Sequence, residues 1–479
     1  MANPDRLSGL DSSFLHLERD DVHMHVAAAM VLEGTPPSYE ELLERIASRL
    51  HLVPRYRQRL EFVPLGQGRP VWVDDPHFNI AFHVRHSALP APGEELELRR
   101  LCGRVFSRAL DRSRPLWELW LVEGLTGDRF ALLSKTHHAL VDGISGVDIA
   151  TVLFDTSPTP PPPGPIPEWV PRPLPSDAQL LADALLERAT VPGEIARGVR
   201  RALRGPRQLA AGLAEAAAGV GALARIMQAA PPSPLNVRIG PHRRFSWVVA
   251  DLQDVKQVKD GLGGTVNDVV LAAVAGALGR FLARRGELSD GLVLRAMVPV
   301  SVRADLERGA LGNRVAAMWA PLPVAIEDPL ERLRTISREM AGVKQSGQAV
   351  GAQVLTELTG FAPPTIVAQA ARLQTRQRMF NLVVTNVPGP QFPLYMLGRR
   401  LQAMYPMVPL AATQALGVAI ISYDGRLDFG LVGDFDAMPD LEDLAGDLTA
   451  AIAELVEAAG VRPRPARRPR TRATSAPAS

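Results

Sequence analysis

Ten prolines crowd the nineteen residues from Ser157 to Pro175. Proline fixes φ and has no backbone N–H, so neither a helix nor an interior strand can run through a stretch of that density. The chain must be extended there, as a semi-rigid connector. The sequence therefore predicts two folded parts joined by a spacer, and 479 residues at 46% hydrophobic content are enough for each part to bury its own core.

Before the connector, helical and strand patterns alternate. Tyr39, Leu42, Leu43, Ile46 and Leu50 recur at helical spacing behind Ser38, with Glu41 three positions on, which is the pattern of a capping box. Strands are expected at Val71-Trp72-Val73, Phe78 to Val84, Leu116 to Val122 and Phe130 to Thr136, with a helix from about Glu94 to Leu110. After the connector, Ala178 to Met227 is rich in Ala, Leu and Arg. There Arg197, Arg200, Arg201, Arg204 and Arg207 form either the solvated face of an interdomain helix or a basic surface for anionic lipid. A second α/β region begins near Arg238. It has a strand at Phe245 to Val249, a helix capped at Thr265 and running to about Arg284, and a strand at Val293 to Val300. Helices follow at Pro329 to Val343 and Gln348 to Ala371, and strands at Leu382 to Val384 and Leu416 to Tyr423. Asp424-Gly425 then signals a two-residue hairpin into Leu427 to Val432, ahead of a last helix from Asp440 to Ala459. The predicted organisation is α/β: residues 1–157, a crossover at 158–235, residues 236–460, and a basic disordered tail at 461–479.

The chemistry concentrates at the end of the strand before the connector, in His137-His138-Ala139-Leu140-Val141-Asp142-Gly143. Histidine can take and return a proton near neutrality, which is what an alcohol or amine attacking a thioester requires. If the backbone stays extended, adjacent histidines point to opposite sides, so only one can face a given cavity. Taken singly, each residue reads equally well as structure: a satisfied core histidine, or an aspartate capping the next helix. A metal site would need partners that diverging histidines and a lone cysteine do not offer, since there is no HExxH. A serine hydrolase would need a G-x-S-x-G elbow, and Ser145 in Gly143-Ile144-Ser145-Gly146 has the wrong spacing. As a unit, the seven residues read as an acyl-transfer site in which a substrate hydroxyl attacks directly.

Lys+Arg 53 against Asp+Glu 51 leaves a charge of +2, so no basic field for nucleic acid exists. Cys102, the single cysteine, fits a reducing compartment and reads as a buried small residue. The start of the chain lacks the pattern of a signal peptide, so a cytoplasmic location is expected. The longest apolar runs, such as Val269 to Leu278, fall short of a membrane span, which restricts any membrane contact to the periphery.

The motifs taken together resemble one family, the bacterial wax ester synthase/acyl-CoA:diacylglycerol acyltransferases. The resemblance runs from Leu7 to about Ala459. It is carried by Leu7-Ser8-Gly9-Leu10-Asp11 with His23-Met24-His25-Val26, Pro54 to Leu60, Arg114-Pro115-Leu116-Trp117-Glu118, and the HHxxxDG box. Asn267-Asp268-Val269-Val270-Leu271-Ala272, Leu311 to Arg314, Asn386-Val387-Pro388-Gly389-Pro390 and Ser422 to Gly425 complete it. The box alone is shared with peptide-synthetase condensation domains, so the other motifs carry the selectivity.

The resemblance implies two chloramphenicol-acetyltransferase-like, condensation-domain-like subdomains with a tunnel at their interface. Acyl-CoA would be a co-substrate, with no metal or other cofactor, and diacylglycerol or a long-chain alcohol the acceptor. By resemblance His138 is the general base. His137 and Asp142 shape the box, the aspartate through an ion pair, and Gly143 permits close backbone approach. Asn267 and Asp268 line or brace the tunnel, or simply cap their helix. Asn386, Pro388 and Gly389 form a turn beside the acyl channel, or a purely structural one. The same resemblance allows contact with the inner face of a membrane or with lipid inclusions. Two other readings stay open: a condensation-type catalyst using a carrier-bound acyl donor, and a non-catalytic lipid-binding protein.

Overall fold

The computed structural model describes residues 5–141, 152–160, 164–187, 229–301, 315–345 and 378–460. Among the described residues, two six-stranded sheets and a two-stranded ribbon carry the fold. The first sheet is built on β1 (His25–Glu33), β4 (Val84–Ala88), β5 (Trp117–Leu125) and β6 (Arg129–His137). Its order is β11-β12-β1-β6-β5-β4, where β11 (Tyr395–Met396) and β12 (Arg399–Met407) arrive from far along the chain. The second sheet contains β7 (Arg243–Asp251), β8 (Val293–Ser301), β9 (Val315–Pro323), β10 (Leu382–Pro388), β13 (Leu416–Tyr423) and β14 (Arg426–Asp434), in the order β7-β14-β13-β10-β8-β9. The ribbon pairs β2 (Gln58–Glu61) with β3 (Val71–Asp74).

Where a few neighbouring residues suffice to specify an element, it forms as expected. Ser38 and Glu41 close a capping box on the helix Tyr39–Arg49, and Thr265 and Asp268 close another on Val266–Arg284. Asp424 and Gly425 take φ of 43° and 82°, so both residues of the β13–β14 turn are left-handed, as a hairpin with right-handed twist demands. The expected strand from Phe78 to Val84 is corrected. The Asn79 side chain accepts the Ala81 N–H at 3.0 Å and starts a helical turn, Ile80–His83, and extended structure begins only at Val84. A capping side chain five residues before the strand outweighs apolar alternation.

The helix Val266–Arg284 is apolar on nearly every face because other elements surround it. At 19 residues it is long and apolar enough to cross a membrane by composition, contrary to the shorter run read from the sequence, yet 78% of its most apolar window is buried in the fold. The helices Pro329–Gln345 and Leu441–Ala458 pack against it, which makes it a core helix.

The expected boundary at residue 236 does not separate two sheets. β12 leaves the second part and pairs antiparallel with β1, Ala27 opposite Met407 and Val31 opposite Ala403. It then crosses β14 so closely that a Cβ on Gly430 would lie 1.7 Å from the Pro406 carbonyl oxygen. Gly430→Ala should therefore force the crossing apart and destabilise the protein by about 1–3 kcal/mol, the usual cost of overpacking. Urea unfolding measures it, and an unchanged midpoint would contradict this account of the crossing. The Gln348–Ala371 helix, the region beyond residue 187 of the arginine-rich crossover, Leu311 to Arg314 and the tail lie outside the described residues. Residues 177–187 are helical, and Leu180 among them is buried against Val71 and Val73.

Candidate active site

β6 delivers the two histidines to the centre of the first sheet, His137 directly opposite His25 on β1. The strand ends there. His138 begins a short helical turn, His138–Val141, so the two imidazoles diverge because the backbone changes conformation between them rather than by strand alternation.

His137 is fully buried. Its Nδ1 accepts the Ala139 N–H at 3.1 Å and so caps the turn that carries its neighbour. An accepting Nδ1 leaves the proton on Nε2, which lies 3.5 Å from Oε2 of Glu18. Glu18 is the C-cap of α1 (Gly9–Leu17), and its side chain is 6% exposed. The same carboxylate accepts from Nε of Arg112 at 2.7 Å, and its other oxygen accepts the Met24 N–H at 3.2 Å. Burial by itself would raise the Glu18 carboxyl. The nearby Nε2–H of His137 and the charge and hydrogen bonds of Arg112 outweigh it and hold the group at about 2. The sequence reading missed Glu18, although a carboxylate at a helix C-terminus, where the helix dipole disfavours it, is a signal that it has a partner elsewhere.

His138 is half-buried. Its N–H donates to the Met24 carbonyl at 2.8 Å, and its ring stacks on Phe14 of α1 with centroids 4.1 Å apart and planes at 27°. Beneath the pair is a buried polar layer. Nε2 of His25 donates to the Phe106 carbonyl at 3.0 Å, and His23 stacks on His25 at 5.7 Å. Nζ of Lys135 donates to the Arg108 carbonyl at 2.9 Å and lies 3.3 Å from Glu118. Burial lowers all three groups, His25 most strongly, so both histidines are held neutral. Arg243 of β7 reaches in from the second part and donates to the Asp21 carbonyl at 2.7 Å, tying the loop before β1 to the other sheet.

The other sequence candidates sort differently. Asp142 and Gly143 lie outside the described residues, as does Ser145. Asp268 is buried, and its carboxylate accepts the Thr265 N–H at 2.8 Å, so the capping reading accounts for it; Asn267 beside it is half-buried. Asn386 is half-buried and Pro388 exposed at the end of β10. Gly389 is glycine because a Cβ there would meet the Ser422 carbonyl oxygen at 2.4 Å. The Asp424 N–H donates to the Pro390 carbonyl at 3.1 Å, and the Gly389 N–H to Oγ of Ser422 at 3.3 Å. Two motifs distant in sequence thus form one corner of the second sheet. Trp117 is buried and donates from Nε1 to the Tyr56 carbonyl at 2.8 Å, a scaffold contact. Cys102 is fully buried, and burial pushes its thiol up, so it supplies no thiolate.

What the described residues assemble is a half-buried imidazole mounted on a turn, stacked on an aromatic ring, beside a sealed imidazole that is backed by a buried carboxylate. Comparisons with known proteins identify the family. The wax ester synthase/diacylglycerol acyltransferase catalytic domain matches residues 7–270, and the C-terminal domain of the same family matches residues 311–456. A putative diacylglycerol O-acyltransferase of Mycobacterium tuberculosis is 35% identical over 96% of this chain and 91% of its own length. A probable diacylglycerol O-acyltransferase of the same organism is 36% identical over 94% of this chain and 95% of its own. The solved wax ester synthase/diacylglycerol acyltransferase from Marinobacter aquaeolei superposes with a TM-score of 0.66 at 30% identity, covering 95% of this chain and 100% of that one. The first condensation domain of the calcium-dependent antibiotic synthetase shares the fold, with a TM-score of 0.56 at 16% identity and 95% of each chain covered. The fold is the expected α/β pair of condensation-domain-like subdomains, and the chain belongs to the wax ester synthase/diacylglycerol acyltransferase family.

Proposed function

We propose that this protein transfers a long-chain acyl group from acyl-CoA to diacylglycerol, forming triacylglycerol and free CoA, and to long-chain alcohols, forming wax esters. The observation that carries the reading is the contrast within the histidine pair. His137 is sealed, with Nδ1 accepting the Ala139 N–H and Nε2 3.5 Å from Glu18, while His138 is only half-buried on a fixed backbone. His138 takes the proton of the acceptor hydroxyl as that oxygen bonds to the thioester carbon. The C–S bond then breaks, and the same proton passes to the CoA thiolate. The residues account for this acid and base work without a metal or prosthetic group. Asp142 is proposed to shape the box through an ion pair and Gly143 to permit close backbone approach, while Asn267, Asn386 and Pro388 are proposed to shape the substrate passage, with Asp268 and Gly389 bracing it through the contacts above.

We place the protein in the cytoplasm, in peripheral contact with the inner membrane face or lipid inclusions. Exposed Leu65, Val170 and Leu186 are consistent with this, at 86%, 72% and 65% exposure.

The test is purified protein with palmitoyl-CoA and, in parallel, diacylglycerol in vesicles, hexadecanol and a short alcohol. CoA release, neutral lipid and vesicle-bound protein are followed together. Acceptor-dependent CoA release with matching ester is expected. Transfer only from an acyl carrier protein would favour the condensation-type reading, and lipid binding without CoA release the non-catalytic one.

A further inference from the structure

We propose that Phe14 is a positioning residue for the base, its ring setting the plane of the His138 imidazole and facing the charge that the imidazole acquires. The inference rests on the reading of His138 as the base.

Phe14 is itself held firmly. α1 is capped at its start by Ser8, which accepts the Asp11 N–H at 3.1 Å and donates its hydroxyl to the Asp11 carboxylate at 2.6 Å. Leu15 is buried, and its carbonyl accepts from Nη2 of Arg112 at 2.9 Å. At the end of the helix the Glu18 N–H donates to the Phe14 carbonyl at 3.2 Å. The Glu18 carboxylate is in turn bound by Arg112 and by the Met24 N–H. α1 packs directly on the turn His138–Val141.

The His138 backbone is anchored through the Met24 carbonyl, so what remains to be specified is the rotation of its ring. The stacked Phe14 face, 4.1 Å away and 27° from parallel, restricts that rotation. A base must present its nitrogen within hydrogen-bond reach of the hydroxyl it serves, and small misplacement is costly in rate. When the proton arrives the imidazolium lies over an aromatic face, an arrangement that attracts a cation. Both effects act on the chemical step and neither on acyl-CoA affinity.

The experiment compares Phe14→Leu, Phe14→Met and Phe14→Tyr with the wild type and with His138→Ala. It reads kcat and KM for acyl-CoA, the melting temperature, and the ring-proton NMR signals of His138, assigned by their loss in His138→Ala. Phe14→Leu and Phe14→Met should lower kcat about tenfold, with KM within about twofold, from lost orientation and lost cation–aromatic attraction. The ring-current displacement of the His138 signals should vanish in both and persist in Phe14→Tyr, which should recover most of kcat. The methionine variant keeps the test open if leucine unfolds the helix. Wild-type kcat in Phe14→Leu or Phe14→Met, a change confined to KM, or an equal loss of kcat in Phe14→Tyr would overturn the inference. If His138→Ala is inactive and only the Phe14 result fails, the base assignment survives; full turnover in His138→Ala would remove both.

Discussion

Replacing His138 by alanine is expected to lower turnover by about 10²- to 10⁴-fold while leaving the KM for acyl-CoA nearly unchanged, because a general base contributes to the proton-transfer step and little to ground-state binding. The loss should appear without unfolding: the His138 ring is half-buried, and the turn it begins is capped by the neighbouring ring through the Ala139 N–H. His137→Ala should behave in the opposite way. It removes a buried ring that caps that turn and partners Glu18, so its main effect should be on the unfolding midpoint. A His138→Ala protein that folds and turns over at the wild-type rate would show that the proton goes elsewhere.

Glu18→Gln is the second large effect. The folded carboxyl sits at about 2 against an ordinary value of 4.5, and at roughly 1.36 kcal/mol per pKa unit this corresponds to a stabilisation on the order of 3 kcal/mol. That is an upper value, because the Arg112 side chain is 36% exposed and its contribution is screened. A lowered carboxyl stabilises the fold fully above 4.5, and the stabilisation is lost as pH falls toward 2. His23 and His25 are also lowered, so their contribution fades earlier, as pH drops below 6.5. The comparison therefore belongs in the window from 4.5 to 2, where the wild type should lose stability with acid and Glu18→Gln should start lower and follow a flatter slope. Urea unfolding at several pH values measures this. Parallel slopes in the two proteins would refute the role given to Glu18.

Much of the molecule could be read before any coordinates because the interactions that specify it are short-range. Ser38 with Glu41, Thr265 with Asp268, and Asp424 with Gly425 each settle an element within a few residues. The His137–Gly143 motif stood out for the same reason: it packs two imidazoles and a carboxylate into seven residues at a strand end. Reading stopped where chemistry depends on residues far apart. Strand alternation suggested how the histidines diverge, but the divergence arises where β6 becomes a helical turn, and His137 is stabilised by an acid on α1. Asn79 shows the local version of the same limit, one capping side chain turning an alternating run into a helical turn.

Composition, caps, turn residues and motif order were thus enough to specify an α/β acyltransferase and to single out its adjacent histidine pair, since propensities and hydrogen bonds between near neighbours act wherever those residues stand in a chain. Which histidine is only half-buried, which acid stands beside the other, which aromatic ring stacks on the first, and the passage of β12 into the opposite sheet depended on folding. Each is a contact between segments separated by a hundred residues or more, or between α1 and the strand it covers, and its geometry exists only once burial has brought those surfaces together.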